Sequence, residues 1–335
     1  MIQSHSPGIN DPLKKLLALT ETIDDNWLDR DISSIIGSME YGQLLEQIPP
    51  LKDIFEDGAE KDPKEYGRIL SHVFRSVAIH NQMKKATFQQ PSLSPEKLSQ
   101  VYELFSVIQE YRQYLMPIIL WFHDIGKMED RENHTQASYE LVRKFQLLES
   151  FGLSAEEKIL IEKVIQHHLV IGTLYTGEGS FHIFDSMLRD DRMQQLIGSG
   201  YGGALWTDFS TMFTIIDLCG YPYNKLTNSH IDSYFQLMGT IKKILLPHIL
   251  SSESRASQIR QISTEMIDWR LVCFLRMFMF LNRTKDHTFQ NYLMAIQRGT
   301  SRFLKQGIDS EGWRAFKERH LSRFPRIQFK YGLAF

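Results

Sequence analysis

Tyr114-Leu-Met-Pro-Ile-Ile-Leu-Trp-Phe-His-Asp-Ile-Gly-Lys127 is nine apolar-rich residues that end on an imidazole, a carboxylate, a glycine and a cation. A His-Asp pair alone carries no weight, because chance supplies one in a chain with this many histidines. Delivered by a helix that reads as buried, the pair instead marks a polar site built inside a core. Adjacent side chains on a helix point about 100° apart, so His123 and Asp124 reach one ion only at a helix end or a distortion. Gly126 supplies the freedom for that departure.

Outward from this stretch the pattern is helical almost throughout. Leu13, Leu16, Leu17 and Leu19 follow Pro12, a residue suited to a first helical turn. Pro49-Pro50 and Asp57-Gly58 predict a loop over 49–64. A helix is expected from Pro63 to Lys85, carrying Ile69, Val73, Val77 and Ile79, and Ser94 opens another after a loop at 91–95. Ser154-Ala-Glu-Glu157 forms a capping box, predicting a helix from Ala155 to about Ile171. A glycine-containing flexible loop is expected over 172–181, then helices near 182–197, 204–219, 229–250, 255–282, 286–305 and 310–322. Strand character is confined to Ile327–Tyr331, a short strand or an extended tail.

Further candidate ligands flank the central pair. His72 lies on the preceding helix, three residues before Arg75, which is expected to share its face. His134 begins the next helix, His167-His168 ends an amphipathic one, and Asp217 interrupts the apolar run Phe213-Thr-Ile-Ile-Asp-Leu-Cys219. A buried carboxylate needs a partner or a metal. Each residue alone has a plainer reading: His72 as a surface histidine, His134 as a helix-start polar residue, Asp217 as a hydrogen-bonded core aspartate, Lys127 as a solvated charge. His168 is expected to point away from whatever His167 faces. Taken jointly, in order and on helices, the residues point to a metal. Imidazole and carboxylate suit Mn, Fe, Zn, Ni or Co, and the lack of thiolates excludes a Cys-based zinc site.

The order His72, His123-Asp124 within His-Asp-Ile-Gly-Lys, His134, His167-His168 and Asp217 resembles the HD superfamily of metal-dependent phosphohydrolases, over roughly residues 66–222. Leu44-Leu-Glu-Gln-Ile-Pro-Pro-Leu51 also looks like the lead-in of HD domains attached to bacterial nucleotidyltransferases. No nucleotidyltransferase active site precedes it, so that activity is not carried over. The resemblance implies an all-α HD-domain helical bundle. An N-terminal helical segment (1–65) would precede the core (66–222), and a C-terminal helical region (223–335) would follow. It implies one divalent ion held by His72, His123, Asp124 and Asp217, and a second held by His134 and His167, with His168 beside them. The cofactor is then one or two ions among Mn, Fe, Ni, Co, Zn and Mg. Asp124 and Lys127 are the expected catalytic groups, and Lys127 with Arg75 the expected contacts to a substrate phosphate.

The implied function is a metal-dependent phosphohydrolase or phosphodiesterase acting on a nucleotide or another phosphorylated small molecule. Two alternatives stand beside it: a di-iron oxygenase of the same fold, and a non-catalytic module whose residues 223–335 bind a partner. The full ligand set argues against the module.

Composition sets the outer bounds. The 335 residues are 42% hydrophobic and 23% charged, with 20 Gly and 11 Pro, the balance of a globular chain with a sizeable core. Lys+Arg of 38 against Asp+Glu of 40 gives a net charge of -2, and so no global field to recruit nucleic acid. Cys219 and Cys273 cannot form a disulfide framework, which predicts reduced thiols and a cytoplasmic setting. No apolar run approaches the ~20 residues of a membrane span. The Met- and aromatic-rich run Phe274–Phe280 reads as helix core or a homodimer face, and the basic, aromatic Trp313–Arg326 as a solvated helix face.

Overall fold

The computed structural model describes residues 10–176, 178, 179, 181, 183–199, 202–223, 226–246, 256, 257, 259 and 260. The chain divides into two compact units, residues 1–175 with 187–250, and residues 176–186 with 251–335. The first holds every candidate ligand, and its architecture follows. Most of the expected helix 255–282, the later helices, the Phe274–Phe280 face, the Trp313–Arg326 segment and the strand at Ile327–Tyr331 lie outside the described residues.

Among the described residues the fold is all-α, without strands. Helices α1 (Asp11–Thr22), α2 (Ile32–Ile36), α3 (Met39–Gln47) and α4 (Pro49–Lys61) lead into the long α5 (Pro63–Lys84). They are followed by α6 (Pro95–Arg112), α7 (Leu115–Phe122), α8 (His134–Lys144) and α9 (Ala155–Gln166). The rest are α10 (Val170–Thr176), α11 (Ile183–Met187), α12 (Asp191–Gly198), α13 (Gly202–Gly220) and α14 (Asn228–Ile244). Single 3₁₀ turns cover Asp25–Leu28, Ile125–Met128 and Glu149–Phe151.

The caps follow the chemistry of the sequence. Asp62 accepts from the Lys64 and Glu65 amides ahead of Pro63 and fixes the start of α5. Ser94 accepts from the Lys97 amide and starts α6. The Ser154–Glu157 capping box forms as expected at α9. Glu157 does more than cap: its Oε1 accepts from Arg112 Nε at 2.9 Å and Tyr114 Oη at 2.6 Å. One carboxylate thus ties the α6–α7 junction to the start of α9.

All eight residues of α7 are buried, so this helix runs through the core. Trp121 meets Phe74 of α5 edge-on at 5.0 Å, and Phe74 stacks on Trp27 at 4.6 Å. Trp121 Nε1 donates to Thr20 Oγ1, while Asn81 Nδ2 donates to the carbonyls of Thr20 and Ile23. Together these contacts lock α1 to α5 and α7.

Four expectations are corrected. The 49–64 loop is helix α4: Pro49 and Pro50 occupy its first turn, where no amide is needed. Gly58 lies inside that helix because a Cβ there would sit 2.8 Å from Met128 Cγ. The expected helix from Ala155 to Ile171 stops at Gln166, with His167 as its C-cap at φ -122°, ψ 21°. The loop expected over 172–181 is helical as far as Thr176. The single helix expected over 182–197 is two, α11 and α12, because Asp190 caps a fresh start through the Met193 amide.

Candidate metal centre

Helix α7 hands over its two polar residues at its last turn. His123 is the C-cap with helical angles (φ -61°, ψ -33°), and Asp124 then departs to φ -109°, ψ 5°. The break between neighbours turns both side chains to one place, as the 100° spacing requires. Gly126 acts through closeness: a Cβ on it would fall 2.2 Å from the Ser138 amide nitrogen. Its own amide donates to Ser138 Oγ at 2.9 Å, so α8 is held against the turn carrying Asp124.

The start of α8 is set by Asp130, whose carboxylate accepts from the Glu132 and Asn133 amides and from Asn133 Nδ2, each at 3.0 Å. That turn delivers His134. The chain reversal after α9 delivers His168, α5 delivers His72 and α13 delivers Asp217.

Around Asp124 these groups fall into two sets. Its Oδ2 lies 3.4 Å from His123 Nε2 and 3.9 Å from His72 Nε2. Its Oδ1 lies 3.7 Å from His134 Nε2 and 3.8 Å from His168 Nε2. Asp217 Oδ1 joins the first set, 2.7 Å from His72 Nε2 and 3.5 Å from His123 Nε2. Both triads, His72–His123–Asp124 and Asp124–His134–His168, are fully buried and could hold a metal ion.

The tautomers are fixed from behind. His123 Nδ1–H donates to the Leu120 carbonyl at 2.9 Å, His134 Nδ1–H to Arg131 at 3.1 Å and His168 Nδ1–H to Ile165 at 2.8 Å. A carbonyl can only accept, so each Nδ1 carries a proton and each Nε2 faces the centre, free to offer its lone pair where an ion takes the place of a proton. Phe213 of α13 packs edge-on against His123 and His168.

Three inward atoms are buried without a hydrogen-bond partner: His123 Nε2, Asp124 Oδ1 and His134 Nε2. Orphaned polar atoms on both sides of Asp124 are what cations there would satisfy. The charges agree. Burial opposes a charged His123, yet Asp124 and Asp217 outweigh it and push its pKa up to about 9. Both carboxyls are held well below the usual range against their own burial, Asp124 chiefly by His123 and Asp217 chiefly by His72. Burial and the neighbouring His123 push His168 down to about 3, keeping it a neutral imidazole.

The other expected residues divide. Lys127 is at the site, its Nζ 2.5 Å from Asp124 Oδ2 and 3.2 Å from Tyr221 Oη. Burial works against its charge, but Asp124 holds it fully protonated. His167 is corrected: its ring faces Trp206 at 6.3 Å, away from the cluster, and its neighbour His168 takes the inward place. The C-cap geometry of His167 swings the next residue inward, which reverses the expected order of the pair. Arg75 is also corrected: although three residues past His72 is the same helix face, its guanidinium is engaged elsewhere, Nε donating at 2.7 Å to the Leu28 carbonyl.

Two site residues had no motif to reveal them. Tyr221, just past the end of α13, stacks on His72 at 3.9 Å and 22°. Ser138 holds the Gly126 turn, and its only trace in the sequence is its place four residues after His134, on the same helix face. Comparison with protein-family models, curated proteins and solved structures finds no match for this chain.

Proposed function

We propose that this protein is an HD-type metal-dependent phosphohydrolase acting on a nucleotide or another phosphorylated small molecule. One observation carries the reading: the two oxygens of Asp124 each face their own pair of histidine Nε2 atoms. A carboxylate so placed could serve two ions, and the donor set of imidazole and carboxylate suits Mn, Fe, Co, Ni or Zn. Two ions at such a centre supply Lewis acidity and an activated water for in-line displacement at phosphorus.

The chain's own residues supply the rest. His72, His123 and Asp217 would hold one ion and His134 and His168 the other, with Asp124 between them. Lys127 presents its ammonium beside Asp124 with 16% of the side chain exposed, where it can meet the oxygens of a phosphoryl group. Tyr221 steadies that ammonium and covers one face of His72.

Elemental analysis of the purified protein is the first test, with up to two divalent ions per chain expected. A screen of nucleotides, cyclic dinucleotides and phosphate esters with Mn, Co, Ni and Fe should then release phosphate or a phosphomonoester from at least one class. Oxygen consumption without phosphate release, on an iron-loaded sample, would replace this reading with the di-iron oxygenase. Failure to retain or bind any ion would remove both.

A further inference from the structure

The four inward histidines are not held alike. His123, His134 and His168 sit at or beside helix ends, where carbonyls without a helical partner accept their Nδ1–H groups. His72 sits in the middle of the 22-residue α5, where the backbone carbonyls are committed to the helix itself. It therefore needs a side-chain acceptor. Its Nδ1 is buried and has no hydrogen-bond partner, and neither has the hydroxyl of Ser76, which is 0% exposed.

Ser76 lies four residues beyond His72, on the same face of α5. Both orphaned atoms border one point, the space above Gly220 of α13. A Cβ there would lie 2.3 Å from Ser76 Oγ and 3.1 Å from His72 Nδ1. Glycine is the residue that leaves this space to the two polar groups. Buried polar atoms without partners are rare, and two bordering one space next to a ligand call for a common explanation.

We infer that Ser76 is a positioning residue of the metal centre: with an ion bound, its hydroxyl accepts the Nδ1–H of His72 and keeps Nε2 aimed at the ion, whereas without one His72 Nε2 lies 2.7 Å from Asp217 Oδ1 and the two orphaned atoms stay unpaired. The inference rests on the proposed centre, and it predicts opposite signs for two measurements on Ser76→Ala. In the metal-free protein the change deletes a buried, unpartnered hydroxyl, so the melting temperature should stay level or rise. Loss of the orienting partner should weaken one of the two Mn(II) ions by roughly 10–100-fold and leave the ion at His134 and His168 unchanged.

The experiment is calorimetric titration of chelator-treated wild type and Ser76→Ala with Mn(II), alongside thermal melts of both without metal. One weakened ion with an unchanged or raised melting temperature supports the inference. Wild-type affinity for both ions in the variant overturns it while leaving the metal centre standing. A lower metal-free melting temperature accompanying the weaker binding overturns it too, since that is what a packing role gives. A wild-type protein that binds no Mn(II) removes the metal centre, and this inference with it.

Discussion

Changing Asp124 to asparagine removes the charge between the two histidine pairs and replaces one oxygen by a nitrogen that can only donate. Because each oxygen faces a different pair, the loss should strike both ions at once. Metal content of Asp124→Asn is expected to fall to near zero with helical circular dichroism retained; a full complement of bound metal would refute the bridging role. The two adjacent histidines give a sharper contrast. His168→Ala should lose the ion on the Oδ1 side, whereas His167→Ala, whose ring faces Trp206, should keep both. Equal metal loss in the two variants would contradict the geometry. Lys127 has no lone pair while protonated, so its place beside Asp124 is electrostatic. Lys127→Ala should retain metal yet hydrolyse its best phosphoester roughly 10²–10³-fold more slowly, the scale of one lost charge-stabilising donor. The loss should fall on kcat if the ammonium acts in the transition state and on KM if it only binds substrate. A wild-type rate would make the lysine a bystander.

Elements place these residues, and the tightest joint is between the 3₁₀ turn Ile125–Met128 and α8. With a Cβ 2.2 Å from the Ser138 nitrogen and 2.6 Å from the Ala137 carbonyl carbon, Gly126→Ala must push backbone from backbone. Overpacking of this kind costs about 1–3 kcal/mol. Because α8 begins with His134, the same shift should weaken the ion on the Oδ1 side; denaturant titration and metal counting read the two effects separately. Unchanged stability and two ions would show that the joint has slack. The sequence reading singled out Gly126 for its freedom, and the structure uses it for closeness instead. The same limit explains Pro49-Pro50 and Gly58. Local punctuation looks alike whether a proline breaks a helix or starts one, and whether a glycine turns the chain or admits Met128. Caps were legible because their partners lie within three residues, as at Ser94 and Ser154. The inward choice of His168 over His167 was not legible, because it hangs on one residue's dihedral angles at a helix end. Tyr221 and Ser76 gain meaning only from contacts made across helices.

At the scale of the whole molecule, α5 ties site to core: His72 faces the carboxylates, and two turns later His80 is enclosed between Phe105 and Asn81. His80 is 2% exposed, its Nε2 has no partner, and burial lowers its pKa from 6.5 to about 4, with nearby Lys84 adding to the effect against a weak contact to Asn81. The sign of the consequence follows from where the proton goes. Above pH 6.5 the ring is neutral in folded and unfolded chains alike, so it contributes no pH dependence. As pH falls from 6.5 towards 4, the unfolded chain takes up a proton that the folded one refuses. Stability then drops at about 1.4 kcal/mol per pH unit, reaching about 3 kcal/mol for this one group. His80→Phe keeps a ring against Phe105 and removes the orphaned nitrogen. It should be at least as stable as wild type at pH 7 and lose about one proton's worth of slope between pH 6.5 and 4. The measurement is denaturant unfolding of chelator-treated protein across that range, so that metal release does not enter. His167, pushed to about 4 by its own burial, remains in both proteins and cancels in the difference. An acid slope identical in wild type and His80→Phe would place the proton-refusing groups elsewhere.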